Sequence, residues 1–269
     1  MNVRMNLIQC TLVVLPFLSA AQPRQLIISA RSGDSIRPTQ PTQRSTEAIT
    51  QQPAEAVSTD VAEPASGPAN SLPLFGERPK TTEQIDAEIH FLNDCDRNFA
   101  SRPEASDFFS ARGWDYVASG QLDTATHRFN LSWLLNDHNG DAYWGLGVVC
   151  YQKNQLPQAI RMLRKGLAVA DSNVALMTDL ATVEIKQYQD KPVAELLTEA
   201  EGHLQRAVGL NPANAPAFQK LSVVYYLKAD YMKSWEYFHQ AYSLDLSILD
   251  IGYLNELLDK QPDPKGKFK

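Results

Sequence analysis

The chain of 269 residues carries 25 basic and 31 acidic side chains, a formal net charge of -6, with 43% hydrophobic residues and 13 glycines. That composition excludes collagen-like, fully disordered and coiled-coil chains, and the mild acidity supplies no general attraction to nucleic acid or to an anionic membrane. The length leaves room for one large domain or two small ones.

At the N-terminus, Arg4 precedes an apolar run from Leu7 through Leu18, broken by Gln9 and Thr11, and Ser19-Ala20-Ala21 then meets Gln22-Pro23. A positive start, an apolar centre and a small-residue exit predict a secretory signal peptide over residues 1–21, cleaved after Ala20 or Ala21. The run is shorter than the roughly 20 residues of a membrane span. The alternatives are an uncleaved N-terminal anchor and a mis-assigned start. Cys10 lies inside the run, with the large Gln9 before it, which disfavours lipidation. Export places the mature chain in the periplasm or outside the cell, associated with the envelope and without a membrane span.

Residues 22–80 hold eight of the sixteen prolines, many Ser, Thr, Gln and Ala, and a single aromatic, Phe75. Such a stretch cannot bury enough surface to offset chain entropy, so it reads as a disordered tether or as a plain spacer.

From residue 81 onward the apolar residues recur at helical spacing. Thr82 to Phe99 presents Ile85, Ile89, Leu92, Cys95 and Phe99, and residues 81–104 form an N-terminal capping helix or half repeat. Beyond it the chain repeats at an offset of 34: Gly113 falls on Gly147, Gly120 on Asn154, Ala125 on Ala159, Phe129 on Leu163 and Asp137 on Asp171. The second half of the next copy arrives seven residues late, with Ala200, Leu204 and Ala207 placed 41 beyond Ala159, Leu163 and Gly166. The extra residues are expected in the turn around Gln187 to Pro192. The step of 34 then resumes onto Ser234, Phe238 and Ala241.

Packing explains these residue types. Small residues at 113, 147, 181 and 222, and at 125, 159, 200 and 234, let paired helices approach, and Phe129, Leu163, Leu204 and Phe238 fill the space one turn later. Gly120, Asn154 and Asp230 suit the turns. Four pairs follow, over 105–139, 140–173, 174–214 and 215–247. Ile248 to Leu258, with Ile251, Leu254 and Leu258 on one stripe, is expected to cap the far end.

The pattern resembles the tetratricopeptide repeat family, carried by Tyr143, Leu146, Gly147, Ala159 and Gly166 in one copy and by Phe218, Leu221, Tyr225, Phe238 and Ala241 in another. The resemblance spans about 106 to 247. Arg112, Cys150 and Leu246 depart from it. It implies an all-α, right-handed solenoid of about four helix-turn-helix repeats with a capping helix at each end. Arg128-Phe129-Asn130, Trp133-Leu134-Leu135 and Tyr143-Trp144-Gly145-Leu146-Gly147 are also similar to a recurring form of bacterial envelope repeat proteins.

Catalytic signals are weak. The five histidines show no ligand spacing, no serine sits in a nucleophile elbow, no glycine loop cradles phosphate, and Glu199 and Glu201 diverge about Ala200. No metal, cofactor or catalytic residue is expected, and no nucleic-acid partner. Cys95 and Cys150 lie a repeat apart and are expected as buried free thiols.

In the resembled family the concave groove is lined by the first helix of each pair. That implies Asp107, Ser110 and Trp114 from the first pair, and Asp141, Trp144, Val148, Tyr151 and Gln152 from the second. The third gives Thr178, Thr182, Ile185 and Lys186, and the fourth Gln219, Val223, Tyr226 and Leu227. Ten of them, Trp114, Asp141, Trp144, Tyr151, Gln152, Thr178, Thr182, Lys186, Gln219 and Tyr226, are the candidate peptide-binding set. Trp114, Trp144 and Tyr226 are either exposed there or half-buried between helices. Lys186 stands almost alone as a groove cation, which disfavours clamping of a terminal carboxylate. The functional expectation is a non-catalytic scaffold of the cell envelope that binds a peptide or protein segment. The alternatives are an accessory subunit of an envelope enzyme and a cytosolic adaptor whose leader is misread.

Overall fold

The computed structural model describes residues 68–269. The signal expected at 1–21 and the tether as far as residue 67 lie outside the described residues.

Ten α-helices follow in order: α1 (Thr82–Asn98), α2 (Arg102–Ala118), α3 (Leu122–Leu135), α4 (Gly140–Gln152), α5 (Leu156–Val169), α6 (Val174–Asp190), α7 (Ala194–Leu210), α8 (Ala215–Leu227), α9 (Tyr231–Leu244) and α10 (Ile251–Lys260). The described residues contain no strand, and the β-prone runs at 148–151 and 223–226 lie on α4 and α8. Asparagine starts the first helix of three pairs: Asn139, Asn173 and Asn214 cap α4, α6 and α8, each accepting a backbone N–H at 2.9 to 3.1 Å. Thr81 and Gln84 form a reciprocal capping box on α1.

The pairs are α2/α3, α4/α5, α6/α7 and α8/α9, and each packs on the next through its second helix. First helices also approach one another, α2 with α4 and α6 with α8, whereas no approach as close joins successive second helices. The first helices therefore form the crowded inner row and the second helices the outer row, as in a curved solenoid.

The late half-repeat takes a different form from the wide turn expected at 187–192. The turn between α6 and α7 is no longer than its counterparts. Instead α6 has 17 residues against 13 in α4 and α8, and α7 has 17 against 14 in α5 and α9. Four residues plus three account for the seven. The insertion is thus about one extra helical turn on each member of the pair, because residues 184–190 carry no glycine or proline to stop α6.

Glycine sets how closely the inner helices approach. A Cβ on Gly145 would lie 2.1 Å from Cζ of Phe129, and one on Gly113 would lie 2.7 Å from its Cε1. The fully buried Phe129 ring on α3 is thus wedged against α2 and α4, where only glycine fits. Gly147 meets Leu163 in the same way, at 2.5 Å from Cγ. In the turns, Gly120, Asn154 and Ala229 take left-handed backbone at φ 75°, 59° and 59°. Ala229 thus fills the place expected for Asp230, which caps α9 instead.

Both ends are closed, with stripes shifted from those expected. On α1, Phe91 and Cys95 are buried while Ile85 and Ile89 are 45% and 50% exposed. On α10, Leu254 and Leu257 are buried and Ile251 is exposed. The Tyr253 hydroxyl joins a buried pair, Ser222 and Ser234, at 2.7 and 2.8 Å. The tail then folds back: the Asp263 carboxylate accepts N–H groups from Lys265, Lys267 and Phe268 and pairs with His239 Nε2 at 2.8 Å. Phe268 stacks on Trp235 and His239.

The last residues of the expected tether are ordered against the fold. Residues 68–77 form two 3₁₀ turns in which Pro73, Leu74 and Phe75 are buried. Leu74, Phe75 and Glu77 have φ of 52°, 54° and 52°, a left-handed backbone that costs L-residues roughly 1–2 kcal/mol each. The apolar Leu74-Phe75 pair and a polar clamp described below hold the turn, so residues 70–77 pack on the solenoid although they fall within the stretch expected as tether.

Candidate peptide-binding face

The inner row places the candidate side chains at different depths. Trp144 is 5% exposed and buried; its indole Nε1 donates to Asp179 Oδ2 at 2.7 Å, and Trp114 packs edge-on against it at 5.2 Å between centroids. Trp144 is therefore the floor of the face and not its surface, while Trp114 is half-buried. Ser110, Val148 and Ile185 are also buried, Ser110 through a 2.7 Å bond to Ser132 Oγ. Trp144 is buried because Trp114 and Asp179 from the flanking pairs close over α4.

Tyr151, Gln152, Thr182 and Lys186 are half-exposed and run along the middle of the row. Thr178 is buried, donating to Val174 O, and Thr182 donates to Thr178 O, so both hydroxyls are partly satisfied by their own helix. Lys186 pairs with Asp190 at 2.8 Å across one turn. At the far end Gln219 donates to Ile248 O at 2.8 Å, and Tyr226 packs between Tyr231 and Tyr253. Those two candidates are occupied by the C-terminal cap. The face that remains accessible is thus centred on the second and third pairs.

Its electrostatics are graded. Near the first pair Asp107 and Asp141 stand together, and partial burial, then the Asp141 charge, raise the Asp107 carboxyl above its usual range. Asn139 bridges the pairs by donating to Asp107 Oδ1 at 3.0 Å. In the third pair burial pushes Asp179 up to about 8, against the opposing pull of Trp144 N–H and Lys220. Lys220, on α8, is half-buried, and burial lowers its pKa while Asp179 and Asp250 raise it. By sequence Lys186 stands almost alone; Lys220 is a second cation, missed because it lies one residue beyond the expected groove position 219. Asp179 was missed for the same reason, one residue beyond Thr178.

On the side of α6 that meets the second helices, Glu184 is fully buried between Arg164 Nη2 at 3.1 Å and His203 Nδ1 at 3.0 Å, a polar cluster joining α5, α6 and α7. Cys95 and Cys150 are buried free thiols, and burial pushes them up to about 12 and about 11. Among the described residues no three His, Cys, Asp or Glu side chains gather to hold a metal ion, and no helix is long and apolar enough to cross a membrane.

The sequence matches no protein-family model and no curated protein. Solved structures do match. The chain is similar to PilF of Pseudomonas aeruginosa, at 20% identity over 62% of this chain and 79% of that one, with a TM-score of 0.52. It is similar to PilW, a type IV pilus biogenesis factor, at 16% identity over 68% and 80%, with a TM-score of 0.51. It also matches TTC0263, a tetratricopeptide-repeat protein of Thermus thermophilus, at 20% identity over 58% and 87%, with a TM-score of 0.47.

Proposed function

From a chain that has the tetratricopeptide-repeat fold, we propose a non-catalytic interaction scaffold that binds a peptide or protein segment along the inner face of its second and third helix pairs. The observation that carries this reading is the half-exposed row Tyr151, Gln152, Thr182 and Lys186, set above a floor fixed by the Trp144–Asp179 bond. An aromatic ring beside amide, hydroxyl and ammonium groups gives contact area and hydrogen bonds at small entropic cost. A rigid floor lowers the ordering cost further, because the supporting rings are already locked. The carboxylates at 107 and 141 against the cations at 186 and 220 favour a segment whose basic part lies toward the first pair and whose acidic part lies toward the fourth.

The apolar run at residues 7–18 supports export and an envelope location. A partner-recovery experiment with the wild type and a Tyr151→Ala/Thr182→Glu chain tests the binding face. The proposal expects selective loss of at least one envelope partner; equal recovery of every partner overturns it.

A further inference from the structure

On the outer row, away from the inner face, one side chain holds the main chain of a distant segment. Asn130, fully buried on α3, uses its whole side-chain amide on the backbone of residues 70–74: Oδ1 accepts the Leu74 N–H at 2.8 Å, and Nδ2 donates to Asn70 O at 3.1 Å and to Leu72 O at 2.8 Å. A side chain that satisfies three main-chain groups of a segment about sixty residues away recognises chain path, not sequence. Sequence enters beside it. Leu74 and Phe75 fill two apolar recesses, Phe75 lying 6.5 Å from Trp133 between centroids. The Glu77 carboxylate then reaches α5, where it pairs with Arg161 and with Lys165 at 3.1 Å.

We propose that this outer face of α3 and α5 is a peptide-docking site whose resident occupant is residues 70–77, and that it accepts in trans a peptide of the same chemistry: an aliphatic and an aromatic side chain in succession, followed two residues later by a carboxylate. The resident segment is held only by non-covalent contacts, and the left-handed backbone at Leu74, Phe75 and Glu77 weakens its hold. Its advantage over a free peptide is its high effective concentration as part of the same chain. A weakened resident therefore opens the site.

The test uses the full chain and a fluorescent synthetic peptide spanning residues 69–80, titrated by anisotropy. Wild type is expected to bind weakly, a Leu74→Ser/Phe75→Ser chain at least tenfold more tightly, and the same chain with Asn130→Ala to return to the weak level. An independent pair keeps the apolar anchors: an Arg161→Glu/Lys165→Glu chain, altered only at exposed positions, is expected to favour a peptide carrying Glu77→Lys over the native one. Equal binding of the peptide by the chain with and without Asn130→Ala, together with no preference in the charge-exchanged pair, overturns the proposal. Doubling of mass in sedimentation without peptide binding overturns it too, and makes the occupant a second copy.

Discussion

The Trp144 indole N–H donates to Asp179 Oδ2 at 2.7 Å, joining the second helix pair to the third beneath the inner face. The carboxyl sits fully out of solvent, and burial raises it to about 8 despite that bond and the nearby Lys220. The folded state therefore holds a proton that the unfolded chain releases near pH 4. Stability from this group is full below pH 4 and is lost as pH rises toward 8. Asp179→Asn keeps an acceptor for the indole and removes the titration. Chemical denaturation at a series of pH values is expected to show a decline between pH 4 and 8 in wild type that is flattened in the variant; identical slopes contradict this.

Phe129 and Gly145 give a second test. Alanine at 145 gains about 1 kcal/mol of helix propensity, but its Cβ would lie 2.1 Å from the ring, and overpacking costs about 1–3 kcal/mol. Gly145→Ala is expected to lower the melting temperature, and Phe129→Leu in the same chain to recover part of the loss. A stabilised Gly145→Ala would contradict the wedge.

Ala229 stands where the other turns place Gly120 and Asn154 in left-handed backbone. Relief of the Cβ penalty predicts that Ala229→Gly stabilises the protein by roughly 0.5–1 kcal/mol, whereas Gly120→Ala destabilises it by a similar amount. Thermal melts of the two variants shifting in the same direction would contradict the assignment.

At the C-terminus one carboxylate, Asp263, gathers three backbone N–H groups and His239. Asp263→Ala leaves those donors unpaired, which costs about 1–3 kcal/mol, and frees Phe268 from Trp235. Limited proteolysis is expected to remove the tail of the variant well before that of wild type; equal rates for the two chains contradict the clamp.

Cys95 and Cys150 are 1% exposed and their thiols are raised to about 12 and about 11 by burial. A thiol reagent at neutral pH is expected to modify neither in the native protein and both after denaturation. Rapid native labelling of either contradicts the packing.

The helix pairs were legible because the small-large alternation at 113/129, 147/163 and 222/238 records backbone approach directly. The seven-residue delay was legible as a number but not as a shape. Nothing in its sequence stops a helix, and the packing of α6 on α7 converts it into one extra turn on each. Trp144 was placed on the right helix face, yet its burial depends on Trp114 and Asp179 arriving from neighbouring pairs, a relation between repeats that a periodicity within one repeat does not encode. The docking of residues 70–77 was hidden for a related reason. Proline content dominates the stretch, and its partner Asn130 reads only backbone.

The inner face of the second and third pairs is proposed to hold the partner. A photo-crosslinking amino acid placed at Tyr151, and separately at exposed Glu236 on α9, tests it in intact cells. A discrete protein adduct is expected from position 151 and none from 236; adducts of the same partner from both positions, or from 236 alone, would rule the inner face out as its seat.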